Sequence, residues 1–99
     1  MVAADKRIPP VDIATAFGKQ LKHCRKRAGL SQEEVAVRAS LHRTEIGLLE
    51  RGERLPRIDT MIKLAGALRV PPAELIEGMR WSPGSTSRGN FSLPKREAG

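Results

Sequence analysis

Apolar residues recur at helical spacing through most of the chain. Ile13, Phe17, Leu21, Cys24 and Ala28 follow one another at steps of three or four and form a single stripe. Asp12 is placed to cap the start of this first helix, and Gly29 to stop it. Ser31-Gln32-Glu33-Glu34 is a capping box, with Ser at the N-cap and Glu at the third helical position. It opens a short second helix whose inward residues are Val35, Ala36 and Ala39. The pattern breaks near Ser40-Leu41. A third helix follows over about His42 to Arg51, with Ile46 and Leu49 inward and Gly52 closing it. A fourth covers about Ile58 to Arg69 and buries Met61, Leu64, Ala65 and Leu68. Pro71-Pro72 starts a fifth, since proline suits a first helical turn. It carries Leu75 and Ile76 and ends at Gly78.

The flanks read differently. Residues 1–11 form an N-terminal arm, closed by Pro9-Pro10. Residues 79–99 hold two Pro, three Gly and four Ser, and no helical period runs through them. Arg80–Ser82 and Asn90–Leu93 are candidates for two short strands around a turn-rich Pro83–Gly89. The expectation is an all-α, five-helix bundle over residues 12–78, with a C-terminal extension over 79–99 that forms an arm or a short β-hairpin. Trp81 and Phe91, two of only three aromatics in the chain, favour an ordered extension.

Composition narrows the function. The 99 residues fit one small domain. A single Cys excludes an intrachain disulfide and a Cys-based zinc site. Nothing approaches the ~20 apolar residues that span a bilayer, and the start of the chain has no apolar run of the signal-peptide kind. The expected setting is cytoplasmic. His23 and Cys24 point about 100° apart on a helix and cannot chelate one metal together. No nucleophile–base set and no glycine-rich phosphate loop is present, so neither catalysis, a cofactor nor a metal is expected.

The net charge of +7 suggests a polyanionic partner but does not distinguish nucleic acid from an acidic protein. Residues 12–78 carry 12 basic and 9 acidic side chains, and residues 79–99 carry four and one. Placement is therefore more informative than the sum. Lys19, Lys22, Arg25, Lys26 and Arg27 crowd the first helix, and Arg51, Arg54 and Arg57 follow the third.

The second and third helices decide between the partners. Ala36 is small where two helices must cross steeply, Leu41 plugs the core from the turn, and Val35, Ile46 and Leu49 fill the space between. This is the spacing of a helix-turn-helix, whose second helix is held out for the DNA major groove.

From about Phe17 to Gly78 the chain resembles the Cro/C1-type, or XRE-type, helix-turn-helix family of phage repressors and bacterial regulators. The resemblance rests on Arg25, on Arg27-Ala28-Gly29-Leu30-Ser31-Gln32-Glu33-Glu34-Val35-Ala36, on Ile46 and Leu49-Glu50-Arg51-Gly52, on Pro56, and on Leu64-Ala65 with Leu68. It implies that Gln32 holds a DNA phosphate and braces the recognition helix. It places Arg43, Thr44 and Leu48 against base edges, where Arg43 can read guanine through two hydrogen bonds and the other two can touch a thymine methyl. It assigns backbone contacts to His42, Arg51, Arg54 and Arg57. Arg25 and Glu50 match an ion pair that ties the first helix to the end of the third. Ser40 at the turn, where the family often has Gly, and His42 as a poor helix cap depart from the pattern. Glu45 on the recognition helix is either solvated or a filter against phosphate.

The resulting expectation is a sequence-specific, DNA-binding transcriptional regulator, a repressor acting as a homodimer on double-stranded, near-palindromic DNA. Leu75, Ile76, Met79, Trp81 and Phe91 are the candidate dimer interface. The rivals are an antitoxin-type module that binds a protein partner through its tail, and a controller of a restriction–modification operon.

Overall fold

The computed structural model describes residues 12–84 and 89–93. The expected N-terminal arm, the middle of the Pro83–Gly89 turn and the chain from Pro94 onwards lie outside the described residues.

Four α-helices form in the expected places: α1 (Ile13–Arg27), α2 (Gln32–Ala39), α3 (Arg43–Glu50) and α4 (Ile58–Leu68). The boundaries of α1 and α2 have local causes. Asp12 accepts a hydrogen bond from the Ala14 amide at 3.1 Å and another from the Thr15 hydroxyl at 2.8 Å. Arg25, Lys26 and Arg27 sit in the last turn of α1, where cations suit the helix dipole. The capping box at α2 is complete. The Glu34 amide donates to Ser31 Oγ at 3.0 Å, and the Ser31 amide donates to Glu34 Oε1 at 2.9 Å. Ser40 ends α2 in the left-handed region, with φ 55°. The turn thus keeps its geometry without glycine, at the conformational cost a side chain brings there. His42 begins α3 with no side-chain cap.

The fifth helix is not an α-helix. Pro72–Ile76 form a 3₁₀ turn instead. Two adjacent prolines remove amide donors, and the chain turns away at Glu77 before an i→i+4 ladder can develop. The bonds that do form span three residues, from the Glu74 amide to Pro71 O at 2.9 Å and from the Glu77 amide to Glu74 O at 3.4 Å. The turn still delivers Leu75 to the core, where it is fully buried.

The two strands form as a hairpin, β1 (Arg80–Ser82) and β2 (Asn90–Ser92). They run antiparallel, with Trp81 opposite Phe91. Ser92 is buried on one face, while Trp81 and Phe91 stand exposed on the other.

The core is aliphatic around one aromatic. Phe17, Leu21, Cys24, Val35, Ala36, Ala39, Ile46, Leu49, Leu64, Ala65, Ala67, Leu68 and Leu75 pack together. Leu41 and Met61 cover its edge, half-buried. The stripe of α1 is shorter than its periodicity suggests. Ala28 is exposed at the helix end and Ile13 is only half-buried at the start.

α1 and α3 cross at Gly18. A Cβ there would stand 2.6 Å from the carbonyl oxygen of Glu50 and closer still to that of Leu49. Only a residue without a side chain lets the two backbones approach this far. α1 is also tied to the 3₁₀ turn. Gln20 Nε2 donates to the Glu74 carbonyl at 2.8 Å, Cys24 Sγ donates to the Glu74 carboxylate at 3.6 Å, and Arg27 forms an ion pair with the same carboxylate. Cys24 is therefore a core residue with a local partner.

Candidate nucleic-acid interface

The centre of the site is a buried carboxylate. The side chain of Glu50, at the end of α3, is 3% exposed and that of Arg25 is 11% exposed. Arg25 donates to Glu50 through Nε at 2.6 Å and Nη2 at 3.0 Å. Its Nη1 donates to the Leu30 carbonyl at 3.0 Å. Gln32 adds a third donor to Glu50, from Nε2 at 3.1 Å. These bonds hold three segments in one geometry: α1, the first residue of α2, and the last turn of α3. The hydrogen bonds with Glu50 raise the pKa of Arg25 above its ordinary value, outweighing the opposing effect of burial. Arg25 and Glu50 thus meet as an ion pair between α1 and α3, and Gln32 touches the same carboxylate from α2.

α3 is buried on one side only. Ile46, Gly47 and Leu49 face inward, while Arg43 and Thr44 are exposed and Leu48 is half-buried. Two of the three expected base readers are therefore open to a partner, and the third offers part of its side chain. A shallow groove of about 270 Å³ at the start of α2 is lined by Arg25, Ser31, Gln32, Glu33 and Arg43. It brings Gln32 and Arg43 together although they lie on different helices. The N-terminus of α2 also belongs to this end, with Glu33 and Glu34 in its first turn.

The arginines after α3 are exposed and paired. Each has an acidic partner of its own. Arg51 Nε pairs with Glu53, Arg54 Nη1 lies 4.0 Å from Glu45, and Arg57 Nε lies 3.4 Å from Asp59. Glu45 is thus neither simply solvated nor aimed outward alone, since it faces Arg54. His42 is exposed.

Among the five residues expected at a dimer interface, Leu75 is corrected. It is wholly enclosed within its own chain and presents no surface to a partner. Met79 is half-buried against the core. Ile76, Trp81 and Phe91 are exposed. The Trp81 and Phe91 rings meet edge to face, with centroids 4.9 Å apart and planes at 63°. Gly89 makes room for this, because a Cβ there would come within 2.6 Å of the Trp81 ring. Leu55, Ile58 and Ile62 are further exposed apolar residues, at 58%, 78% and 58%. Ile58 and Ile62 are one helical turn apart, off the inward stripe of Met61, Leu64, Ala65 and Leu68.

Among the described residues, no group of three or more His, Cys, Asp and Glu is arranged to hold a metal ion. No described helix is long and apolar enough to cross a membrane.

Comparison with known proteins agrees with this geometry. Residues 21–75 match the family model described as helix-turn-helix. Control protein C.BamHI of Bacillus amyloliquefaciens is 36% identical over 67 residues, covering 67% of this chain and 83% of that protein. Control protein C.SmaI of Serratia marcescens is 38% identical over 66 residues, covering 67% of this chain and 79% of that protein. Among solved structures, the restriction-modification controller protein C.AhdI of Aeromonas hydrophila superposes with a TM-score of 0.64 at 38% identity. That match covers 66% of this chain and 98% of C.AhdI.

Proposed function

The chain belongs to the helix-turn-helix family, and from that footing we propose that it is a sequence-specific, DNA-binding transcriptional regulator that acts as a dimeric repressor. The carrying observation is α3 itself. One face is locked into the core by Ile46, Leu49 and the buried Glu50, and the other presents Arg43 and Thr44 to the outside. A helix held this way can enter a major groove with its first turn against base edges. Gln32 is the candidate for a phosphate on one side. The arginines after α3 are the candidates for the backbone on the other. In a dimer, two such helices read half-sites about one turn of DNA apart, ~34 Å.

Within this class, the similarity to C.BamHI, C.SmaI and C.AhdI favours a controller of a restriction–modification operon over an antitoxin. No comparable observation supports a toxin partner for the tail.

The test is selection of bound duplexes from a random pool, followed by titration of the enriched sequence at several salt concentrations. The expected results are one enriched motif with two related halves and an affinity that falls steeply with salt as counterions are released. Stable protein that enriches no motif would overturn the reading.

A further inference from the structure

The loop after α3 is electrically balanced. Arg51, Arg54 and Arg57 stand against Glu53, Glu45 and Asp59, one carboxylate to each guanidinium. Arg25 and Arg27 are also paired, but Arg43 on α3 and Lys19, Lys22 and Lys26 on α1 have no ion-pair partner among the described residues. The carboxylates also engage the arginines in a particular way. Glu53 and Asp59 each take the Nε side of their partner. The Nη groups of Arg51 and Arg57 are not the atoms closest to these carboxylates. Gly47 leaves space for the fork of Arg51, whose Nη1 lies 2.9 Å from where a Cβ on Gly47 would be.

We propose that Glu45, Glu53 and Asp59 are specificity-determining residues for DNA binding; the inference rests on the docking reading above. Non-specific affinity arises from long-range attraction between cations and phosphates. A loop whose arginines are already neutralised adds almost nothing to that attraction. In a specific complex the base contacts of α3 fix the phosphates in register. There the same carboxylates hold each guanidinium in one orientation, and a planar fork gains most from a fixed geometry. The ion pairs are exposed, so each is weak enough for a phosphate to share. The acids thus suppress binding to arbitrary duplex while leaving the operator complex largely intact.

The experiment uses the full chain and its E45Q/E53Q/D59N variant, with matched melting curves as the control for folding. Affinity is measured for the selected duplex and for a scrambled duplex of equal length, each across a salt series. The variant is expected to bind scrambled duplex more tightly, with a log–log salt slope steeper by up to about 3, from three arginines at ~0.9 each. Its affinity for the selected duplex should rise less, so the ratio of the two affinities falls. The E53Q/D59N variant, which leaves the recognition helix untouched, should move the ratio in the same direction. An unchanged ratio, or an unchanged scrambled affinity, overturns the inference while the docking reading stands. Failure of the unaltered protein to bind any duplex overturns both.

Discussion

Glu50 receives Arg25 through two guanidinium nitrogens, at 2.6 and 3.0 Å, in a site where its carboxylate is almost without solvent. The pair fastens the recognition helix to α1 before any DNA is present. Removing one partner strands the other charge in a buried place. Glu50→Ala is therefore expected to lower stability by about 3 kcal/mol or more. Urea unfolding of the single variants and of R25A/E50A together measures the pair. A double variant as unstable as the sum of the singles would show that the two act separately.

Gly18 carries the helix crossing. Gly18→Ala improves helix propensity but drives a methyl group into the carbonyls of Leu49 and Glu50. Overpacking should win, at a net cost of roughly 2 kcal/mol, and α3 should be displaced. Thermal unfolding reads the stability. A variant as stable as the parent, with unaltered duplex affinity, would contradict the close approach.

Arg43 is open at the head of α3 and has no ion-pair partner among the described residues. Arg43→Ala should relax discrimination at one base position by ~1–3 kcal/mol. The check is a panel of single-base operator variants. Equal loss on every member of the panel would make Arg43 a phosphate contact instead.

The capping box makes an acid-sensitive contribution. Hydrogen bonds from the backbone amide and the side chain of Ser31, in that order, hold the Glu34 carboxyl below the usual carboxylate range. A depressed acid stabilises the fold while it is ionised. Its contribution is fully present above the ordinary carboxylate value and is lost as pH falls through the lowered one. Glu34→Gln should therefore narrow the stability difference between neutral and acid pH, read by circular dichroism. An identical pH profile in the variant would remove Glu34 from the account.

The hairpin offers the test of assembly. Trp81→Ala with Phe91→Ala removes the exposed aromatic pair without touching the core. Sedimentation equilibrium should show weaker self-association and an unaltered fold. If association is instead lost on Ile58→Glu and Ile62→Glu, the contact lies on α4.

The helices of this protein were legible because their signals are local. The capping box at Ser31–Glu34 and the stop at Gly29 each depend on residues a turn or two apart and appear as read, and the apolar stripe of α1 is buried from Phe17 to Cys24. The outward place of Arg43 and Thr44 followed once Ile46 and Leu49 were set inward. The fifth helix is a 3₁₀ turn because proline permits a first turn but does not specify that a second follows. Leu75 was likewise assigned to a surface when the 3₁₀ turn aims it into the core.

What tertiary structure decided was which groups meet. Gln32, Arg25 and Glu50 are 18 and 25 positions from contact along the chain, and packing alone brings three donors onto one carboxylate. The same holds for Gly18 beneath α3 and for Glu45 across from Arg54. Periodicity and capping specify where helices lie and which side they bury, because those free energies arise within a few residues. Charge pairing between distant residues and backbone approach depend on the crossing of helices, which no local pattern encodes. The sequence thus determined a helix-turn-helix with Arg43 and Thr44 outward at the head of its second helix, and the fold decided that Arg25 and Gln32 would meet on Glu50.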